Sequence, residues 1–165
     1  MRTYEQALQL ATKHGSPVLR GTADMYVGLS ELHRERNDLV AAEEYLERSQ
    51  ESGEHTGLPQ NPYRWRLTKA RIREARGDLD SALDLLRESE RLYTTDFSPD
   101  VRPIGAVRAR MLCRSGRVRE ALDWIQARGL SVSDELSYLR EYDHITLARV
   151  VLARHSLSEA LDLLQ

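Results

Sequence analysis

Apolar and small residues recur along this chain at helical spacing, and the pattern itself is repeated. Four six-residue segments align without gaps, and they are Asn37–Ala42, Gly77–Ala82, Gly116–Ala121 and His155–Ala160. The alanines that end these segments are spaced 40, 39 and 39 residues apart. A regular interval of this length is typical of repeat proteins, in which each unit buries its apolar face against the next.

Each repeat is predicted to be two antiparallel helices, A and B, joined by a tight turn. An apolar residue of helix B follows each repeat alanine by four positions. These residues are Leu46, Leu86, Ile125 and Leu164. Twelve positions before each alanine stands a small residue of helix A, and these are Ser30, Ala70, Ala109 and Ala148. The apolar spacing fits a helix face. Because small residues let helices approach closely, we expect the eight small residues to be buried at A/B crossings.

Capping residues and prolines predict where the helices begin. Ser16–Pro17, Asn61–Pro62 and Ser98–Pro99 each place a capping side chain before a proline, which suits the start of an A helix. Pro103 leaves two alternatives for the third A helix, a late start or a kink. The first residues of the B helices are predicted to be Leu39, Leu79, Val118 and Leu157.

Two further signals concern the turns between helices A and B. Gly77 and Gly116 stand where the turn needs a permissive backbone. Ser156 with Glu159 forms a capping-box pattern that predicts the start of the last B helix. An earlier half-repeat, Tyr4–Leu10, matches helix B.

These patterns predict an all-α fold, a right-handed superhelical stack of antiparallel helix pairs. We expect about four repeats with a period of 39 to 40 residues in a single domain over residues 1–165. The repeats are placed at about 1–15 (partial), 16–54, 59–93, 99–128 and 133–165 (truncated). Because the first repeat lacks helix A and the last stops within helix B, the sequence is expected to be part of a larger protein.

Composition and charge limit the classes of function that this chain is expected to have. The formal net charge is −2 with 30% charged residues, so we expect no direct nucleic-acid contact from this segment. Lys13 and Lys69 are the only lysines among 24 basic residues, an arginine bias that a GC-rich genome would also produce. Cys113 is the single cysteine, and no run approaches the roughly 20 apolar residues of a membrane span. A cytoplasmic protein without membrane contact is therefore expected.

The repeats resemble the tetratricopeptide repeat in the positions of their small residues. Tyr26 fits the first large aromatic position of that family, whereas Arg66, Gly105 and His144 do not, and the period exceeds the usual interval of about 34.

A narrower resemblance covers nearly the whole chain. It rests on the stretches Gly21–Ala23 through Glu35–Leu39, Phe97–Pro103, Trp124–Ser131, Glu141 and Leu147–Val150. These stretches are similar to the helical repeat region of MalT-like, LuxR-type ATP-dependent transcriptional regulators.

That resemblance implies a position within a large bacterial regulator. In such proteins an ATPase module comes first and a helix-turn-helix DNA-binding module comes last. The repeat region between them is implied to sense an inducer or an inhibitory protein. The resemblance therefore implies a small-molecule effector or a protein partner for this chain.

The motifs of common enzymes are not found in the sequence. It contains no Gly-x-x-x-x-Gly-Lys-Ser/Thr phosphate loop, no Gly-x-Ser-x-Gly, no His-Glu-x-x-His and no Cys-x-x-Cys. The five histidines, His14, His33, His55, His144 and His155, are scattered through different repeats. We therefore predict a protein that is not an enzyme and that has no cofactor or metal site.

A ligand groove is predicted along the A helices. The residues that follow the small A-helix residues should face the concave surface of the stack, and they are Glu31, Arg71, Arg110 and Arg149. Arg64 would extend the positive stripe, while Trp65 and Tyr142 would offer stacking surface. Such a stripe suits carboxylates, phosphates or acidic side chains.

A purely structural interpretation of the same residues also stands. Chance alignment is expected with so many arginines, and carboxylates such as Glu74 and Glu141 are available as intramolecular partners. Trp124, one residue before the apolar Ile125, is more consistent with a packing role between helices than with ligand contact.

The leading hypothesis is a non-catalytic effector-sensing or protein-interaction domain of a transcriptional regulator. An effector in the groove would favour one curvature of the stack and so shift its conformational equilibrium. The alternative is a generic tetratricopeptide scaffold or adaptor that binds a peptide segment of a partner. Exposed repeat ends would also allow self-association.

Overall fold

The protein folds entirely into helices over the part of the chain that is described. The computed structural model describes residues 2–13, 19–53, 56–94 and 99–162. The helices are α1 (Arg2–Lys13), α2 (Thr22–Glu35), α3 (Leu39–Glu51), α4 (Asn61–Ala75), α5 (Leu79–Leu92), α6 (Ile104–Arg114), α7 (Val118–Arg128) and α8 (Glu141–Asp162), with a short 3-10 turn at Tyr138–Arg140. No strand occurs within these ranges. The predicted all-α class is confirmed.

Consecutive helices pack in pairs, as expected of a helical repeat stack. The chain forms two compact modules, an N-terminal module of residues 1–95 and a C-terminal module of residues 96–165. In the N-terminal module α2 packs on α3 and α4 on α5, and α4 also contacts the preceding pair. In the C-terminal module α6 packs on both α7 and α8. The handedness of the stack and its exact period stay predictions.

A left-handed residue closes each of the first three A/B turns. Asn37, Gly77 and Gly116 have φ angles of 60°, 82° and 76°. In each case the next residue's N–H bonds back to a carbonyl five residues earlier, at 2.8 to 3.0 Å. This is the Schellman arrangement, which satisfies free carbonyls at a helix end. It explains why the next helix begins at the predicted Leu39, Leu79 and Val118.

Aspartate side chains then cap two of the B helices. Asp38 accepts a hydrogen bond from the N–H of Ala41, and Asp78 accepts one from Ser81, both at 3.2 Å. Each bond satisfies one of the free amides in a first helical turn.

The predicted start of the last B helix at Leu157 is wrong. Helix α8 continues without a break from Glu141 to Asp162, so Ser156 and Glu159 lie inside a helix and do not form an N-terminal capping box. His155 occupies the position that Asn37 or a glycine holds in the other repeats. A left-handed conformation costs a bulky residue more than glycine or asparagine, so the helix continues here.

The predicted A-helix starts are partly right. Helix α4 begins at Asn61, with Pro62 in its first turn, but the cap position belongs to Gln60. Helix α6 begins at Ile104, directly after Pro103, so the third A helix starts late and is not kinked. Ser16–Pro17 and Ser98 lie outside the described residues.

Six of the eight small residues are fully buried at A/B crossings, which confirms the phasing of three repeats. They are Ser30, Ala42, Ala70, Ala82, Ala109 and Ala121. The Ser30 hydroxyl also donates to the carbonyl of Ala42 across the crossing, at 2.7 Å. Ala148 is exposed, so the prediction for the fourth repeat is wrong there. Since α8 is continuous from Glu141 to Asp162, no turn within that range returns a B helix over Ala148; the side chain of Ala160 lies outside those described.

The core of each module follows from these pairings. In the N-terminal module Val27, Ala42, Leu46 and Ile72 form a buried cluster against which Trp65 packs. In the C-terminal module α8 buries Leu147 and Val150. Among the described residues, none of the helices has both the length and the apolar character needed to cross a membrane.

Candidate ligand-binding surfaces

Arg71 and Glu31, both predicted to line the groove, form an ion pair in the N-terminal module. The Arg71 Nη1 donates to Glu31 Oε1 at 2.6 Å, and Arg34 donates to both carboxylate oxygens at 2.8 and 2.9 Å. Burial raises the pKa of Glu31, but the hydrogen bonds and charges of Arg34 and Arg71 outweigh it, and the pKa lies below its usual value. Arg71 is therefore largely neutralised by a partner within its own module.

Arg64 and Trp65 also have partners within the fold. Arg64 Nη1 lies 3.8 Å from Asp24 Oδ1. The Trp65 indole Nε1 donates to the Leu46 carbonyl at 2.9 Å while its ring packs on the apolar cluster. Trp65 also lines a pocket of about 190 Å³ between α3 and α4. Trp65 therefore has a packing role in the fold and borders a pocket as well.

Arg110 and Tyr142 lie together in the C-terminal module. Arg110 Nη1 donates a short hydrogen bond to the Tyr142 hydroxyl, and its guanidinium carbon lies 5.1 Å from the ring centroid. A second arginine, Arg102, lies 5.9 Å from the same centroid. Sequence reasoning missed Arg102, because the residue precedes α6 and belongs to no repeated position.

Arg149 is exposed on α8, and its side chain forms no hydrogen bond or ion pair with another residue in the described ranges. Equal phase of the repeats predicts Arg149 in the same groove as Arg110, but only if Ala148 is buried like Ala109, and Ala148 is exposed. The predicted groove through Glu31, Arg64, Arg71, Arg110 and Arg149 stays a prediction, since its residues fall in two modules.

An apolar pocket that the sequence did not predict lies between α8 and the segment that precedes it. It has a volume of about 460 Å³ and is lined by Leu136, Ser137, Tyr138, Glu141, His144, Ile145 and Ala148. Leu136 and Tyr138 are 77% and 80% exposed, unusually high fractions for large apolar side chains. The signal in the sequence was Leu136, Tyr138 and Leu139 within a segment otherwise typical of a loop.

His144 forms the polar edge of this pocket. Its Nδ1 donates to the carbonyl of Arg140 at 2.9 Å, and its Nε2 lies 3.6 Å from Asp134 Oδ2. The N–H of Ser131 and the charges of Arg140 and His144 lower the pKa of Asp134. Asp134 is thereby kept ionised and ties the loop before α8 to the helix.

Two further observations concern metal binding and thiol reactivity in the described part of the chain. No group of three or more His, Cys, Asp or Glu side chains is clustered there as metal ligands would be. Burial raises the pKa of the Cys113 thiol, which disfavours the reactive thiolate.

Comparison with known proteins agrees with this architecture. A family model described as MalT-like TPR region matches residues 1–165. The chain belongs to that family, so the resemblance drawn from the sequence is confirmed. Tetratricopeptide-like repeat regions are a non-catalytic type of domain. No curated protein and no solved structure matched the chain.

Proposed function

We propose that this chain is the partner-binding sensory region of a bacterial transcriptional regulator and acts by binding, not by catalysis. The observation that carries the proposal is the apolar pocket beside α8, with Leu136, Tyr138 and Ile145 open to solvent. Exposed apolar clusters of this kind mark interaction sites on soluble proteins. Family membership supplies the regulatory context.

The size of the pocket favours the α8 surface over the site at Trp65. Ligand pockets have volumes of about 300–1,000 Å³. The pocket beside α8 has about 460 Å³, whereas the one at Trp65 has about 190 Å³. An apolar anchor side chain of a partner protein fits the open pocket, because Leu136 and Tyr138 stand on its rim.

Binding would act by shifting a conformational equilibrium. The segment of residues 131–137 is joined to α8 through Asp134, which lies 3.6 Å from His144 and 3.9 Å from Arg140. An anchor residue that contacts both Leu136 and Ile145 would favour the state in which this segment rests on α8. The generic scaffold is the competing function, and it would use the same surface without a transcriptional response.

A reporter gene controlled by the regulator tests the proposal. The double variant Leu136→Ser, Ile145→Ser should lose the response to the natural signal, because its pocket no longer offers apolar contacts. Val40→Ser is the matched control, since Val40 is 69% exposed on α3 and far from the pocket in sequence. A response that survives in a folded double variant would refute this role for the surface.

A further inference from the structure

Two arginines of the C-terminal module flank a single tyrosine. The guanidinium carbons of Arg110 and Arg102 lie 5.1 and 5.9 Å from the centroid of the Tyr142 ring. Arg110 also donates to the Tyr142 hydroxyl. Arg102 belongs to the segment before α6, Arg110 to α6 and Tyr142 to the first turn of α8, so three parts of the module meet here.

The charge of this pair is not balanced by a carboxylate within ion-pair distance among the described residues. Two arginines at predicted groove positions of the N-terminal module do have such a partner. Arg71 pairs with Glu31, and Arg64 lies beside Asp24. Both guanidinium groups lie close to the same ring, so an anion beside that ring would be attracted by both charges.

Two acidic residues close in sequence to this group, Asp100 and Asp143, are engaged with a different arginine. Asp143 is only 2% exposed and its Oδ2 accepts a hydrogen bond from Arg128 Nε at 3.3 Å. Burial raises the pKa of Asp100, whose side chain accepts the backbone N–H of Arg102 and feels the charges of Arg128 and Asp143. Asp100 and Asp143 therefore form a group with Arg128 and leave the Arg102 and Arg110 guanidinium groups to another partner.

We propose that Arg102, Tyr142 and Arg110 form a binding site for the oxyanion group of a ligand, a phosphate or a carboxylate. Guanidinium groups donate paired N–H bonds that match the oxygens of both anions. The Tyr142 hydroxyl accepts from Arg110, which leaves its own O–H free to donate to an anion oxygen. This inference rests on the proposed function, because it names the chemistry of one ligand of the same region.

Isothermal titration calorimetry of the 165-residue chain at low salt tests the site. Inorganic phosphate is titrated in one arm and glutarate, a dicarboxylate, in the other. We expect saturable binding in at least one arm, and the tighter arm identifies the phosphate or the carboxylate as the source. Arg110→Ala and Arg102→Ala should each weaken that binding by roughly ten- to a hundredfold, the loss expected for a charged hydrogen bond.

Arg119→Ala is the matched control, because it removes the same charge from an exposed position on α7. It should leave the affinity nearly unchanged, whereas Arg110→Lys should recover only part of it, since lysine lacks the planar fork. Circular dichroism checks the fold of each variant. If Arg110→Ala does not fold, the exposed Arg102 still provides the test.

Two results would overturn the site. The first is no saturable heat with either anion, and the second is an equal loss of affinity in Arg119→Ala and Arg110→Ala. The reporter experiment separates this failure from that of the proposed function. If neither anion binds but the Leu136→Ser, Ile145→Ser variant loses its transcriptional response, only the anion site is wrong.

Discussion

Ser89 in α5 donates a hydrogen bond from its hydroxyl to the backbone carbonyl of Tyr63 in α4, at 2.8 Å. The same bond occurs one repeat earlier, where Ser49 donates to the carbonyl of Ala23 at 2.9 Å. Both donors and both acceptors are 40 residues apart, and both serines are buried. The bond ties the late turns of helix B to the first turn of helix A in two successive repeats.

We expect Ser49→Ala and Ser89→Ala each to lower the free energy of unfolding by about 1 kcal/mol, the usual net contribution of one buried hydrogen bond. Urea denaturation followed by circular dichroism measures the change. Ser81→Ala is the control, because the Ser81 side chain is exposed and forms no bond with another described residue. Equal stability of Ser89→Ala and the original chain would show that the bond contributes nothing.

Enlarging a small residue should affect stability in the second repeat but not in the last. Ala82→Leu places a larger side chain in a crossing with no free space and should cost roughly 1–3 kcal/mol. Ala148→Leu should be nearly neutral, because Ala148 is exposed on α8. Thermal melts of both variants measure the difference. Similar melting temperatures for the two variants would contradict the burial described for Ala82.

The Glu31 ion pairs should make stability depend on pH in the acid range. Because the pKa of Glu31 is lowered in the fold from its usual 4.5, the unfolded chain binds more protons there and stability falls as pH falls. Glu31→Gln should be less stable than the original chain at neutral pH, and this difference should shrink below pH 4.5. Urea midpoints measured from pH 7 to pH 3 provide the test.

The exposed Glu44 offers the control for that series. Glu44→Gln should differ from the original chain by a small and nearly constant amount across the range. A Glu31→Gln difference that is unaffected by acid would mean that the ion pairs with Arg34 and Arg71 do not stabilise the fold.

The pocket beside α8 should bind a neutral apolar dye. Nile red fluorescence should rise in the presence of the chain, and the Leu136→Ser, Ile145→Ser variant should reduce that rise by removing apolar surface from the pocket. Val40→Ser should have little effect. An equal rise with the double variant would place the dye elsewhere and weaken the evidence for an apolar site.

Much of the architecture could be predicted because it rests on short-range rules. Asn37, Gly77 and Gly116 tolerate the left-handed backbone of a tight turn, so each marks the place where one helix ends and the next begins. The spacing between small residues then aligns Ala70 with Ala82 on facing helices. The last repeat has His155 at the equivalent position, which is not a turn-forming residue, and α8 continues through it.

The candidate sites were less predictable, because they depend on residues that are distant in sequence. Arg71 was placed correctly on an A helix, but its charge is neutralised by Glu31, which lies 40 residues earlier. Arg110 and Tyr142 were both named as ligand residues, yet only the fold shows that they contact each other and that Arg102 joins them.

For the first three repeats, the sequence by itself determined the helices, the A/B turns and the small residues that are buried, because backbone dihedral preferences and side-chain size act within a few residues. Tertiary structure decided which charges are paired and which apolar residues stay exposed. Ala148 and Ile145 are exposed on α8 because none of the described helices covers that face, and a helix face is buried only where a partner surface meets it.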